Sequence, residues 1–379
     1  MRILHIYKDY HPVLGGIENN LRQLARAQVA RGHEVTVLVT NPQGARTTVG
    51  VEEGVQVIRA ARLATLASTP LSPALIGQIG RQRPDITHLH FPYPIGEIGQ
   101  LLCGRGRPTV ITYHSDVVRQ AGILRLYAPV LRRVLARADR ILVSSPAYRD
   151  SSPYLRPLAE RCTVVPIGIE FDRFATPRPD EAARWRARYP GPLLLFVGRL
   201  RYYKGLNYLL AAMVEIPATL LIAGDGPEAP ALRAQAQALG VAGRVHFLGD
   251  VAEADLPGLY QAADVFVLPS GRRSEAYGIA LLEAMAAGVA VISTELGTGT
   301  SWLNRHGQTG LVVPPCDPVA LAAALRELLT DEERRRHMAE AAQTRAAAFA
   351  LKRQVAEVLA VYEEVLAARD RRGSERVGR

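Results

Sequence analysis

Short, continuous β-branched runs separated by helical patterns constrain this chain most. Runs at 2–7, 34–40 (EVTVLVT), 55–60, 85–90, 108–113 (PTVITY), 139–145 and 163–167 are predominantly apolar and read as continuous rather than alternating. Between several of them the apolar residues fall at helical spacing, as in 17–31 with Leu21, Leu24, Ala25 and Val29, and again in 124–137. The second half repeats the scheme, with strands expected at 193–198 (LLLFVG), 218–223, 244–248, 265–269 and 289–293. Helices are expected there at 204–213, 228–239, 253–263, 276–287 and 317–329. A strand apolar on both faces belongs to a sheet covered on both faces, hence a parallel, doubly wound α/β sheet. Two successive sets of such units predict two Rossmann-like domains, joined through the proline-rich segment from Pro166 to Pro192. After Pro318 the pattern is helical to about Ala368, and 369–379 reads as a frayed, charged tail.

Length and composition agree. The 379 residues suit two domains, and 48% hydrophobic with 22% charged residues excludes a disordered or collagenous chain. The longest apolar candidate, Gly278 to Thr294, is broken by Glu283, so no membrane-spanning helix is expected. RILHIY followed by Lys8 and Asp9 reads as a strand, not a signal peptide. Cys103, Cys162 and Cys316 lie far apart, without zinc or disulfide spacing, and fit a reducing cytoplasm.

The net charge of +10 is unevenly placed. Residues 1–180 hold 23 Lys+Arg against 14 Asp+Glu, and 101–140 hold eight arginines (Arg105, Arg107, Arg119, Arg125, Arg132, Arg133, Arg137, Arg140) beside only Asp116 and Asp139. Either this is a solvated face in an arginine-rich chain, or it meets an anionic partner such as a membrane surface. A nucleic-acid module is disfavoured, because interleaved aromatics, a helix-turn-helix signature and zinc fingers are all lacking.

In doubly wound sheets ligands bind beyond the carboxyl ends of the strands, so the residues just after each strand carry the information. With two such domains, the expected site is a cleft between their facing carboxyl edges. After the first strand, Gly15 and Gly16 come too late for a dinucleotide fingerprint, GDG at 224–226 is followed by Pro227 and Glu228, and GxxxxGK[ST] is absent. A nicotinamide enzyme and a P-loop NTPase are therefore disfavoured. Gly15-Gly16 before a helix either presents bare amides to an anion or is a plain turn. Arg199 and Lys204, one of only three lysines, flank a strand-to-helix turn where they can clamp a diphosphate or simply face solvent. Glu275 precedes a helix, near the expected free amides of 276–279, and Glu283 lies within it on a face with Ile279, Leu282 and Ala286. A carboxylate turned toward apolar packing needs partners, which sugar hydroxyls can supply. His114, at the end of strand 108–113, either bonds a ligand hydroxyl or satisfies a nearby carbonyl.

Taken together the chain resembles the retaining glycosyltransferases of family 4, the group 1 glycosyl transferases of GT-B fold. The resemblance spans nearly the whole chain: GGIE at 15–18, His114, PIGIEFDRF at 166–174, GRLRYYKG at 198–205, AGDGPE at 223–228, FLGDV at 247–251 and EAYGIALLEAMAAGVAVI at 275–292. It implies two Rossmann-like domains facing a central cleft, with an acceptor-binding domain at 1–175 and a nucleotide-sugar-binding domain at 176–355. A C-terminal helix and tail at 356–379 would then cross back to the first domain. Arg199 and Lys204 would neutralise the donor diphosphate, Glu283 would hold the ribose, and Glu275 with the backbone of Ala276, Tyr277, Gly278 and Ile279 would hold the donor sugar. Gly224 and Leu248 would line the nucleotide-sugar site, Gly15 and Gly16 would add amides to the phosphate, and His114 would contact the sugar beside the reacting carbon. Ala276 and Tyr277 depart from the Gly and Phe of many members. The implied reaction is metal-independent transfer of a hexose from GDP-mannose or a UDP-hexose to a glycan or lipid-linked acceptor, with no cofactor, in the bacterial cytoplasm or at the inner face of its membrane. The segment 296–310 (LGTGTSWLNRHGQTG) resembles bacterial mannosyl- and related hexosyltransferases of polysaccharide assembly. Alternatives within the fold are a sugar-nucleotide epimerase, a phosphorylase using pyridoxal phosphate, or an inactive partner subunit.

Overall fold

The computed structural model describes residues 1–13, 15–66, 69–116 and 121–377, with side chains omitted for 121–126 and 372–377. It divides into two compact units. Unit 1 comprises Met1–Ile167 with Leu351–Arg379, and unit 2 comprises Gly168–Ala350.

Unit 1 is built on ten strands: β1 (Arg2–Ile6), β2 (Glu34–Thr40), β3 (Thr48–Glu52), β4 (Val55–Ala60), β5 (Ala64–Leu66), β6 (Thr69–Leu71), β7 (Ile86–Phe91), β8 (Thr109–Tyr113), β9 (Arg140–Val143) and β10 (Cys162–Val164). Eight form one sheet in the order β10-β9-β8-β7-β1-β2-β4-β3, and β5 and β6 pair separately. Every pairing in the large sheet is parallel except the antiparallel edge β3–β4. Unit 2 carries β11 (Leu193–Val197), β12 (Thr219–Ala223), β13 (Val245–Gly249), β14 (Val265–Leu268), β15 (Ala290–Thr294) and β16 (Gly310–Val313), in the order β13-β12-β11-β14-β15-β16. All its pairings are parallel. β14 and β15 are buried at every residue, as strands covered by helices on both faces must be. Among the described residues no helix is long and apolar enough to cross a membrane.

The structure corrects several expectations. β3, β16 and the β5–β6 hairpin are strands that the apolar-run criterion passes over. β3 is an exposed edge with Gly50 at its centre and Val49 and Val51 facing water, so burial leaves no pattern in it. The expected boundary after residue 175 lies after Ile167 instead, and that expected after 355 lies after Ala350. The prolines used to place the linker partly serve another purpose: Pro179 occupies the first turn of the helix Pro179–Arg188. Ile169 N meanwhile donates to Phe349 O at 3.0 Å, tying that stretch into unit 2. The final helix runs from Leu351 to Val377 rather than fraying at 369. Arg369 within it forks onto Asp139 at 2.8 Å and 3.1 Å, which anchors the helix in unit 1.

The expected helix 204–213 begins later, at Leu206, because Tyr202–Lys204 form a single 3-10 turn closed by Gly205. Gly205 has φ +69°, and a Cβ there would lie 2.0 Å from Pro269 O, on the loop after β14. The glycine is what allows the loops after β11 and β14 to touch. Gly32 also has positive φ (+82°), but nothing lies within 4 Å of its Cβ direction. Gly32→Ala is therefore expected to cost only the left-handed backbone penalty of about 1–2 kcal/mol. Gly205→Ala should cost distinctly more, because the backbone clash is added, and chemical denaturation of the two variants checks the ranking.

Candidate active site

The sheet order of unit 2 reverses at β11. β12 and β13 are laid to one side, then β14, β15 and β16 to the other, so the switch point lies between the carboxyl ends of β11 and β14. The two loops that leave there carry Arg199 and Lys204 on one side and Ser270 and Glu275 on the other. Lys204 Nζ donates to Glu275 Oε2 at 2.6 Å, and the side chains are only 12% and 10% exposed. Ser270 Oγ donates to the same carboxylate oxygen at 3.2 Å, and Thr298 Oγ1 donates to Glu275 O at 2.9 Å. Gly271 N donates to Tyr203 O at 2.8 Å, closing one loop against the other. Burial works against the Lys204 charge, but the Glu275 carboxylate more than offsets it and holds the ammonium above its ordinary range. Arg199, by contrast, is exposed and has no ion-pair partner among the described residues.

Close backbone approach shapes the same edge. Gly224 (φ +115°) donates its amide to Gly249 O at 2.7 Å, and a Cβ on it would lie 2.4 Å from Gly198 O. Leu248 is half-buried beside it on β13. Ala276, Tyr277 and Gly278 form a buried loop held by Gly299 N donating to Ala276 O at 2.8 Å. Gly278 has φ +90°, whereas Ala276 and Tyr277 keep negative φ, so the two departures from the family pattern fit without backbone strain. The helix begins at Ile279 rather than at residue 276. Its first closing bond runs from Leu282 N to Gly278 O, so the amides heading it are those of Ile279, Ala280 and Leu281.

Glu283 does not join Lys204, Arg199 or Glu275 in any hydrogen bond or ion pair among the described residues. Its partner is one that sequence reasoning missed: Tyr260 Oη donates to Glu283 Oε2 at 2.8 Å, with the rings of Phe174 and Phe266 each 5.7 Å from that of Tyr260. Burial pushes the Glu283 carboxyl up to about 7, although the Tyr260 hydroxyl opposes the shift.

In unit 1 the glycine pair starts the helix Gly16–Val29, with Gly15 as its extended N-cap. A Cβ on Gly15 would lie 2.1 Å from Glu18 Oε2, so a carboxylate already lies against this helix end. His114, at the end of β8, turns inward. It is 5% exposed, its Nε2 lies 3.0 Å from His90 Nδ1, and its Nδ1 is buried. Sequence reasoning also passed over His5, His88 and His90, although H-x-H inside the otherwise apolar ITHLHF is a visible signal. Their ring nitrogens cluster within 4.8 Å, at metal-ligand spacing. All six nevertheless have protein partners, namely Gln28, His90 and His5, Tyr362, Thr112 and His114.

A carboxyl raised in the folded state takes up its proton more readily there than in the unfolded chain. Its contribution to stability is complete below the unfolded value of 4.5 and is lost as pH rises through about 7. Denaturation of the protein between pH 5 and pH 8 is expected to show this loss. Glu283→Gln should remove roughly 2–3 kcal/mol of the pH-dependent difference; an unchanged pH profile in the variant would contradict the assignment.

The chain matches the family model described as glycosyl transferases group 1 over residues 178–345, and that of glycosyltransferase family 4 over residues 14–173. D-rhamnosyltransferase WbpZ of Pseudomonas aeruginosa is 40% identical over 349 residues, covering 91% of each chain. O-antigen chain mannosyltransferase C of Escherichia coli is 38% identical over 336 residues, covering 88% of this chain and 90% of that one. Among solved structures, sucrose-phosphate synthase from Thermosynechococcus elongatus superposes with a TM-score of 0.82 at 25% identity, covering 97% of this chain and 99% of that one. With the parallel sheets and the switch-point loops already described, these likenesses establish that the chain belongs to the group 1, family 4 glycosyl transferases and is a glycosyltransferase of GT-B fold.

Proposed function

We propose that the protein transfers a hexose from GDP-mannose or a UDP-hexose to a glycan or lipid-linked acceptor in bacterial polysaccharide assembly, with retention of anomeric configuration and without a metal. The observation that carries the reading is the pairing of Lys204 with Glu275 at the switch point of unit 2, with Arg199 unpaired at the same sheet edge. The names of the two relatives, a rhamnosyltransferase and a mannosyltransferase, favour a manno-configured or 6-deoxy sugar.

Breaking the anomeric carbon–oxygen bond places positive charge on the sugar and negative charge on the departing diphosphate. Fixed cations aimed at that diphosphate stabilise the transition state more than the bound donor. Lys204 suits the task because Glu275 keeps it charged and in place before any ligand arrives, while two of its three N–H donors remain for phosphate oxygens. Glu275 offers its other oxygen to a sugar hydroxyl, together with the backbone of Ala276, Tyr277, Gly278 and Ile279. Gly224 lets the backbone after β12 pack directly on Gly198, where a Cβ would lie 2.4 Å from the carbonyl oxygen, and so shapes the edge beside Leu248 against which the donor would lie. Glu283, steadied on one oxygen by Tyr260, has lone pairs left for a ribose diol. The leaving phosphate itself takes the acceptor proton in a front-face attack, so no carboxylate serves as covalent nucleophile.

Of the eight arginines in 101–140, Arg105, Arg132, Arg133 and Arg137 are exposed. Arg107 donates to Ile79 O at 2.8 Å and Arg140 to Asp139 O at 3.1 Å, so these two serve the fold. Arg119 lies outside the described residues, as does the side chain of Arg125. Four exposed guanidiniums, at about 1 kcal/mol each near an anionic leaflet, would hold unit 1 at the inner face of the membrane where lipid-linked acceptors reside.

Calorimetric titration with UDP, GDP, dTDP and ADP in EDTA tests the donor site. One nucleotide is expected to bind at about micromolar Kd and to lose that binding in Lys204→Ala; binding by none of them would overturn the reading. Arg199→Ala or Lys204→Ala should each lower turnover by ~10²–10³, or ~3–4 kcal/mol of transition-state stabilisation. For the membrane surface, sedimentation with vesicles should show binding to anionic but not neutral lipid at low salt, weakened when Arg132, Arg133 and Arg137 are replaced together by glutamine.

A further inference from the structure

Three neighbouring parallel strands of unit 1 carry polar rings where apolar side chains are the rule. The register sets His5 of β1 opposite His88 of β7, and His90 of β7 opposite Thr112 of β8. Side chains two apart share a face, so His5, His88, His90, Thr112 and His114 lie on one side of the sheet. His88 ends in a local pair of bonds, to Tyr362 Oη at 2.5 Å and Thr112 Oγ1 at 2.6 Å. The others form a line. Gln28 Oε1 is 2.8 Å from His5 Nε2, His5 Nδ1 is 3.0 Å from His90 Nε2, and His90 Nδ1 is 3.0 Å from His114 Nε2.

A neutral imidazole has one N–H and one lone pair, so each bond in such a line dictates the next. Gln28 Oε1 accepts, hence His5 carries its proton on Nε2 and accepts on Nδ1. His90 then donates from Nε2 and accepts on Nδ1, and His114 donates from Nε2. The end of the line is the lone pair on His114 Nδ1. That atom and Ser144 Oγ are both buried without a hydrogen-bond partner among the described residues, and both residues line one small cavity of about 10 Å³. Burial keeps the rings neutral: it pushes His5 down to about 4 and His114 down to about 3, and holds His90 well below its ordinary value. A proton added to His5 or His90 would set two donors face to face.

We propose that Gln28, His5 and His90 are positioning residues for His114: they lock its ring in the Nε2–H form, with the Nδ1 lone pair turned toward Ser144, and so fix the carboxyl end of β8. The effect on turnover rests on the proposed glycosyltransfer and on His114 contacting the donor sugar, as the family resemblance implies, whereas the ring chemistry does not. His114 N donates to Phe91 O at 3.1 Å, so a ring held in one orientation also holds the strand end that carries it. Two residues on, Asp116 Oδ1 accepts from Tyr113 Oη at 2.9 Å and from Ser152 Oγ at 2.8 Å. The backbone leaving β8 is thus pinned on either side of Ser115.

The test uses full-length protein labelled with ¹⁵N on histidine side chains, read by long-range proton–nitrogen correlation at neutral pH without donor. His5→Gln, His90→Gln and His114→Gln supply the assignments. All three rings are expected in the Nε2–H form; an Nδ1–H form or a mixture at any of them overturns the proposal. Gln28→Leu removes the terminal acceptor far from His114 and should turn His114 into a tautomer mixture, while Gln28→Glu, whose carboxylate accepts and does not donate when ionised, should restore the single form. A His114 ring unmoved by Gln28→Leu overturns the positioning role even if the variant folds poorly. With donor and acceptor present, Gln28→Leu should lower kcat roughly 10-fold with KM for the donor little changed, and Gln28→Glu should recover it. Altered ring chemistry with unaltered kcat would overturn the link to turnover. Wild-type protein that turns over no nucleotide-sugar would instead defeat the proposed function and leave the ring assignments standing.

Discussion

Parallel pairing is the constraint from which the rest follows. Strands that run the same way must be joined by crossovers, so each unit has helices on both faces and all the carboxyl ends of its parallel strands along one edge. Loops carrying chemistry then have a single place to gather, and the reversal of strand order selects where along that edge. In unit 2 the reversal falls between β11 and β14, the two strands whose loops carry Lys204 and Glu275. Bringing those loops together demands a backbone without a side chain at the crossing, which Gly205 supplies.

The polar groups buried at this edge are expensive and are compensated locally. Lys204 and Glu275 are almost dry, and each would be a severe liability alone. Together, with Ser270 and Thr298 bonding the Glu275 side chain and backbone, they form a charged site set in place before a ligand binds. Glu283 is handled differently: it has a phenol rather than a cation for a partner, and burial raises its carboxyl. The two glutamates sit in one sequence segment, yet one is paired with an ammonium and the other with a phenol. In unit 1 the same economy appears without charge, as neutral imidazoles whose donors and acceptors are matched end to end.

Much of the fold was legible because burial on both faces leaves a direct trace in composition. Runs such as EVTVLVT and LLLFV can hardly be anything but interior strands. β3 left no such trace, since an exposed edge strand has no buried face to impose a pattern. The first unit boundary falls earlier in the proline-marked segment than the prolines suggest, because Pro179 opens a helix rather than marking a linker. Of the candidate site, Arg199, Lys204, Glu275 and Glu283 were found by residue type and position after a strand. Tyr260 was not, for it is an unremarkable tyrosine whose role depends on a helix packing against Glu283.

Residue order alone therefore determined that the chain forms two parallel α/β units of a GT-B glycosyltransferase, because strand burial, turn glycines and the motifs after strand ends are local properties. Which side chains meet was decided only by tertiary structure. Lys204 and Glu275 lie 71 positions apart, and His5 and His90 lie 85 apart; no local pattern encodes contact over such separations. The inward turn of His114 belongs to the same class. A histidine at a strand end has two faces open to it, and it is the register of β1, β7 and β8 that gives one of them a hydrogen-bond partner.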